Sequence, residues 1–99
     1  MLEELKKIQG INHNDFDTTI EMWIAAAKLD LKSIGIVGTL VDGNDSLIQA
    51  AIITYVLSFL DVERAEMYNN SYRRQKDVLR HTSEYIVPGE YPYNPPISA

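Results

Sequence analysis

The chain contains no cysteine. Neither a disulfide framework nor a thiolate for zinc binding or nucleophilic chemistry is therefore available, which fits a reducing compartment. All four prolines fall in the terminal stretch IVPGEYPYNPPISA. No apolar run is long enough for a membrane: the richest, SLIQAAIITYVLSFL, ends in the charged DVERAE, whereas a spanning helix needs about 20 predominantly apolar residues. The opening MLEELKKIQG carries acidic residues where a signal peptide has a basic start and an apolar core, so export by that route is not expected and synthesis in a cytoplasm is.

Catalytic signatures are missing too. There is no H-E-x-x-H, CxxC, G-x-G-x-x-G or Walker loop. His13 falls in a polar connection and His81 on a polar helix. His13, Asp15 and Asp17 have the residue types of a metal site, but carboxylates at a helix start serve as caps and dipole partners. Glu63 and Glu66 show no apolar surroundings of the kind that raise a catalytic pKa. The expectation is no enzyme: no catalytic residue, no metal ligand and no cofactor.

What is present is charge of mostly one sign and a strong helical pattern. The 99 residues suit one domain and carry a net charge of −5. Up to Glu66 five basic residues face eleven acidic ones, leaving −6; from Met67 four face three, leaving +1. The basic cluster is Arg73, Arg74, Lys76 and Arg80. Such a cluster reads first as a solvated helix face, and a nucleic-acid footprint would work against an acidic remainder.

The segment Leu2 to Gln9 predicts a short amphipathic helix with Leu2, Leu5 and Ile8 on one face, closed by Gly10. Asn14 or Asp15 is the expected N-cap of the next helix, which runs to about Ile34. Its apolar residues Phe16, Ile20, Trp23, Ile24, Ala27, Leu31 and Ile34 recur at helical spacing, and the small AAA run would let another helix come close. A third helix starts at about Ser46, where Ser46 and Gln49 have the spacing of a capping box. It is apolar on nearly every side through Leu60, so other protein must bury it. It is expected to pack antiparallel on the second helix, with Phe16, Ile20, Trp23, Ile24, Ile52, Val56, Phe59 and Leu60 in the core.

Between these helices SIGIVGTLVDGNDS carries three glycines and a turn signal. IGIV and TLV are candidates for two short strands around Gly38; the alternative is a loop packed on the core, or strands completed by a neighbour. After Leu60 a helical phase continues toward Met67, Asn69-Asn70 interrupts it, and Asn70 or Ser71 caps a last, sparsely apolar helix through Tyr85. The fold expected is all-α: a small bundle of about four helices over residues 1–85 with a short loop or hairpin between helices two and three, then an extended arm over 86–99. Tyr91, Tyr93, Pro95 and Pro96 in that arm, with the basic residues Arg73, Arg74, Lys76 and Arg80, are the candidate interface residues, because rigid aromatic and proline side chains dock at low entropic cost.

The MLEELKKI helix, the loop ending N-H-N-D-F-D, the helix TTIEMWIAAAKLDLKSIGI, a variable loop and then SLIQAAIITYVLSFLDVERAE together resemble the head-tail connector (adaptor, or head-completion) proteins of long-tailed bacteriophages and their prophage relatives. The resemblance covers about the first two thirds of the chain and rests on helix order, the acidic run before IAAAK, and the apolar-then-ER third helix. It implies a structural virion protein at the head-tail junction, made in the bacterial host cytoplasm. It further implies a homo-oligomeric ring, commonly of about twelve copies closed by head-to-tail contacts, that meets the portal protein on one side and a neck or tail completion protein on the other. DNA would pass through its channel without sequence-specific contact, and no membrane is involved. Two competing classes are a small helical DNA-binding regulator that uses residues 71–85 for recognition and an antitoxin-like dimerising protein. Against the regulator, DVERAEMYNN lacks a tight turn with glycine.

Overall fold

In the structure, a computed structural model that describes residues 1–87, five α-helices follow one another. They are α1 (Leu2–Ile8), α2 (Asp17–Ser33), α3 (Gly38–Val41), α4 (Ser46–Leu60) and α5 (Ala65–Arg80), with 3₁₀ turns at Val62–Arg64 and Ser83–Tyr85. The fold is all-α. Among the described residues the strand-like pairing is one isolated antiparallel bridge, Ile36 with Ile86.

Glycine ends α1 and α2 in the same way. Gly10 (φ +69°) and Gly35 (φ +93°) take the left-handed conformation that L side chains avoid. After α1 the Gly10 N–H donates to the Lys7 carbonyl and the Ile11 N–H to that of Lys6; after α2 Gly35 donates to Lys32 and Ile36 to Leu31. Both are Schellman closures, which satisfy carbonyls the helix leaves open. The second delivers Ile36 directly into the core, where it is buried beside Ile86.

The start of α2 differs from expectation. Phe16, not Asn14 or Asp15, occupies the N-cap, without a side-chain capping bond. Asn14 accepts a hydrogen bond from Lys6 Nζ at 2.9 Å, and Asp17 pairs with the same ammonium at 2.9 Å. Lys6 is buried, and a buried charge is stable only when paired and hydrogen-bonded. The candidate cap is thus drawn away to hydrogen-bond the ammonium, whose charge Asp17 balances. Ile8, expected on the packed face of α1, is exposed.

At α4 the start is right but the device is not. Asp45 is the N-cap, its carboxylate accepting from the Leu47 and Ile48 N–H groups at 3.1 Å. Ser46 is already inside the helix, and Gln49 donates instead to the Gly43 carbonyl. The chain then turns through 113° between α4 and the segment after it, at Asp61. Asn69 and Asn70 do not interrupt α5; both side chains face solvent in mid-helix. The stripe of Tyr68, Tyr72, Gln75 and Leu79 runs through them at helical steps and packs on α4, and this tertiary burial outweighs a propensity cost below about 1 kcal/mol per residue.

Around Gly38 the packed connection is found and the hairpin is not, with Ile36 and Val41 buried in the core. TLV forms the single turn α3, and the extended partner of Ile36 comes from the other end of the body, Ile86. Val37 donates to the Tyr85 carbonyl and Val87 to that of Gly35. Ile86 and Val87, expected in the arm, therefore belong to the packed body. The rest of the arm, including Tyr91, Tyr93, Pro95 and Pro96, lies outside the described residues.

The core is built from α2, α4 and α5, and Leu5, Ile36 and Val41 are buried with them. Ile20, Leu31, Ile48, Ile52, Val56 and Leu79 are fully buried, each contributing about 1.5–3 kcal/mol. Of the expected core residues, Ile20, Ile24, Ile52 and Val56 are buried, and Trp23 and Leu60 are partly so. Phe16 is 50% exposed and Phe59 44% exposed. Phe16 sits in the turn before α2 rather than within it, and Phe59 lies at the open end of α4, where one ring face meets Trp23.

Candidate assembly surface

The four basic residues of α5 do not act as one patch. Lys76 turns inward, to Asp30 on α2 at 3.1 Å and over the Tyr72 ring at 4.7 Å. Arg80 pairs with Asp77. Arg73 donates to Asn70 and Arg74 to Ser71, both at 3.3 Å, so these two exposed guanidinium groups meet no carboxylate among the described residues. At about 100° per residue they also diverge around the helix. A helix whose Lys76 is committed to its own body and whose charged rim includes Asp77 is a poor match for a phosphate backbone.

Asp30 joins α2 to α5. Its carboxylate accepts from Tyr72 Oη at 2.7 Å as well as from Lys76. Burial, and after it the bond to Asp30, holds the Tyr72 hydroxyl well above the ordinary tyrosine range. Tyr85 makes an equivalent tie to the start of α4, donating to Asp45 at 3.0 Å, and its hydroxyl is raised first by desolvation and then by that bond. Asp45 thereby caps α4 and anchors the C-terminal strap with one carboxylate. Aromatic packing completes the frame: Trp23 stacks on Phe59 at 5.1 Å, Tyr55 meets Phe59 at 5.3 Å and Tyr72 edge-on at 5.1 Å. Sequence reasoning placed Tyr72 and Asp30 on helices and Asp45 in the turn before the third helix but paired none of them, since the partners lie forty or more residues apart.

No group of His, Cys, Asp or Glu among the described residues is arranged to hold a metal. His13 lies 3.7 Å from Asp15 on exposed chain, and His81 Nδ1 lies 2.7 Å from the Asp77 carbonyl. No single helix there is long and apolar enough to cross a membrane. What the surface does offer is apolar. Met22 and Leu29 on α2 are 66% and 67% exposed, and Leu47 and Val78, on α4 and α5, are more than half exposed. Leu47, Ala50, Gln75, Val78 and Leu79 line a shallow groove between α4 and α5.

Such a molecule is a small all-α subunit with faces to pack against other protein. The family model described as phage connector protein matches residues 1–85, and the chain belongs to that family. No curated protein and no solved structure matches it. The family match carries the resemblance beyond the first two thirds of the chain, through α5. Membership makes the protein a structural phage connector, a component of the virion that associates with other head or tail proteins.

Proposed function

We propose that the protein assembles as a homo-oligomeric ring under the portal, joins capsid to tail and extends the channel through which DNA passes without sequence-specific contact. The match of the connector family across the whole helical body carries this reading. It is supported by large apolar side chains left exposed on separate elements, Met22 and Leu29 on α2 and Val78 on α5, since extended apolar surface marks sites for other protein. The net charge of −5 suits a channel wall that must not hold DNA. In this reading the rest of the arm, residues 88–99, supplies a docking segment, with Tyr91, Tyr93, Pro95 and Pro96 contacting a neighbour, and Arg73 and Arg74 lie at a subunit or portal contact.

The test is light scattering after size exclusion over a concentration series, with and without a cognate portal assembly. A ring-sized species, or co-elution with the portal at many copies, is expected. A dimer indifferent to the portal that binds duplex DNA sequence-specifically at moderate salt, and loses binding when Arg73, Arg74, Lys76 and Arg80 are neutralised, overturns it in favour of a regulator.

A further inference from the structure

Helix α2 buries Ile20, Ile24, Ala27 and Leu31. Met22 and Leu29 lie about 180–200° around it from Ile20. Thr18, Ala25 and Ser33 share that outward side, and the stripe carries no charge from end to end. On α4, Phe59 faces α2 through its stack on Trp23, and Ala50 lies nine residues back, about 180° away. Ala50 and Leu47 line the α4–α5 groove with Gln75, Val78 and Leu79, none of them charged. The two uncharged surfaces therefore sit on opposite sides of one subunit.

The rims offer one pair of opposite charges, although Lys28 and Lys32 share the rim of α2 with Glu21. Glu21 borders the α2 stripe, is exposed and meets no cation among the described residues; Arg74 borders the groove and meets only the Ser71 hydroxyl. A ridge on one side and a groove on the other, with opposite unpaired charges at their edges, is the arrangement a head-to-tail contact requires, because the two faces of each copy must differ yet fit.

We infer that the α2 stripe of Met22, Ala25 and Leu29 in one subunit seats in the α4–α5 groove of Leu47, Ala50 and Val78 in a second copy of this chain, with Glu21 of one opposite Arg74 of the other. The inference rests on the ring reading above and gives that ring its interface. Both faces are open in the single subunit, so the contact repeats from copy to copy.

The lack of cysteine makes the test clean. Four double variants combine Met22→Cys or Leu29→Cys with Leu47→Cys or Val78→Cys, and each is treated with a short bismaleimide in the full chain, alone and with a portal assembly. Exposed positions keep the fold, which far-UV circular dichroism verifies. At least one pairing is expected to give a ladder of linked multimers, and mixing the corresponding single variants to give a dimer band and nothing longer. Separately, Glu21→Arg should reduce assembly several-fold, with Arg74→Glu in the same chain restoring it. If light scattering shows multimers but no pairing gives a ladder, this interface is wrong and the ring reading stands. If no multimer forms with or without the portal, both fall.

Discussion

Replacing Tyr72 by Phe removes one hydroxyl and leaves the ring, so it isolates the tie between α2 and α5. The lost bond is short, 2.7 Å to an ionised carboxylate, a type worth about 1.5–3 kcal/mol. Asp30 keeps Lys76 at 3.1 Å and stays partly exposed, so no charge is stranded and the lower end applies, about 1.5 kcal/mol. For a domain of this size that is a fall in Tm of about 6–12 °C. Urea unfolding followed by circular dichroism should show the midpoint shifted at constant slope. The pH dependence gives a second handle. The native Tyr72 hydroxyl is held above its ordinary value by burial and by Asp30; folding therefore favours the protonated form, and the contribution is complete below the unfolded value near pH 10 and fades as pH rises beyond it. The gap between wild type and Tyr72→Phe should accordingly be constant from pH 6 to about 9.5 and narrow above about 10. A variant within about 0.5 kcal/mol of wild type, the scatter of a neutral surface change, or a gap that does not narrow, would refute the reasoning.

Three further outcomes follow from the same geometry. Asp45→Ala removes the cap of α4 and the anchor of Tyr85 together and should cost about 2 kcal/mol in urea unfolding, whereas Asp45→Asn should retain most of it. Ile52→Ala opens the fully buried centre and should cost about 2–5 kcal/mol, a large part of the roughly 5–15 kcal/mol a domain commands; calorimetry reads this directly. Phe59→Ala unstacks the sole tryptophan, so Trp23 emission should shift to the red while stability falls by only about 1 kcal/mol, because Phe59 is already half exposed.

Residue type and spacing alone determined the helical class, the stripe of α2, the onset and burial of α4, and the stop at Gly10, since helical periodicity and glycine termination depend on neighbours three or four positions away. The order of these helices also carried the likeness to phage connectors. Local chemistry misjudged the caps at Asn14 and Ser46 and the break at Asn69-Asn70. At each of these a distant partner won: buried Lys6 recruited Asn14, Asp45 served Tyr85 and α4 at once, and packing on α4 held α5 continuous through the asparagines. The pairing of Ile36 with Ile86 and the inward turn of Lys76 to Asp30 join residues about fifty positions apart. Only the tertiary structure decided them, because which groups come within hydrogen-bonding reach depends on how α2, α4 and α5 cross. The same holds for the surface. Periodicity reports that a helix has an apolar face, but which apolar residues remain uncovered, as Met22, Leu29 and Val78 do, depends on where the other helices end.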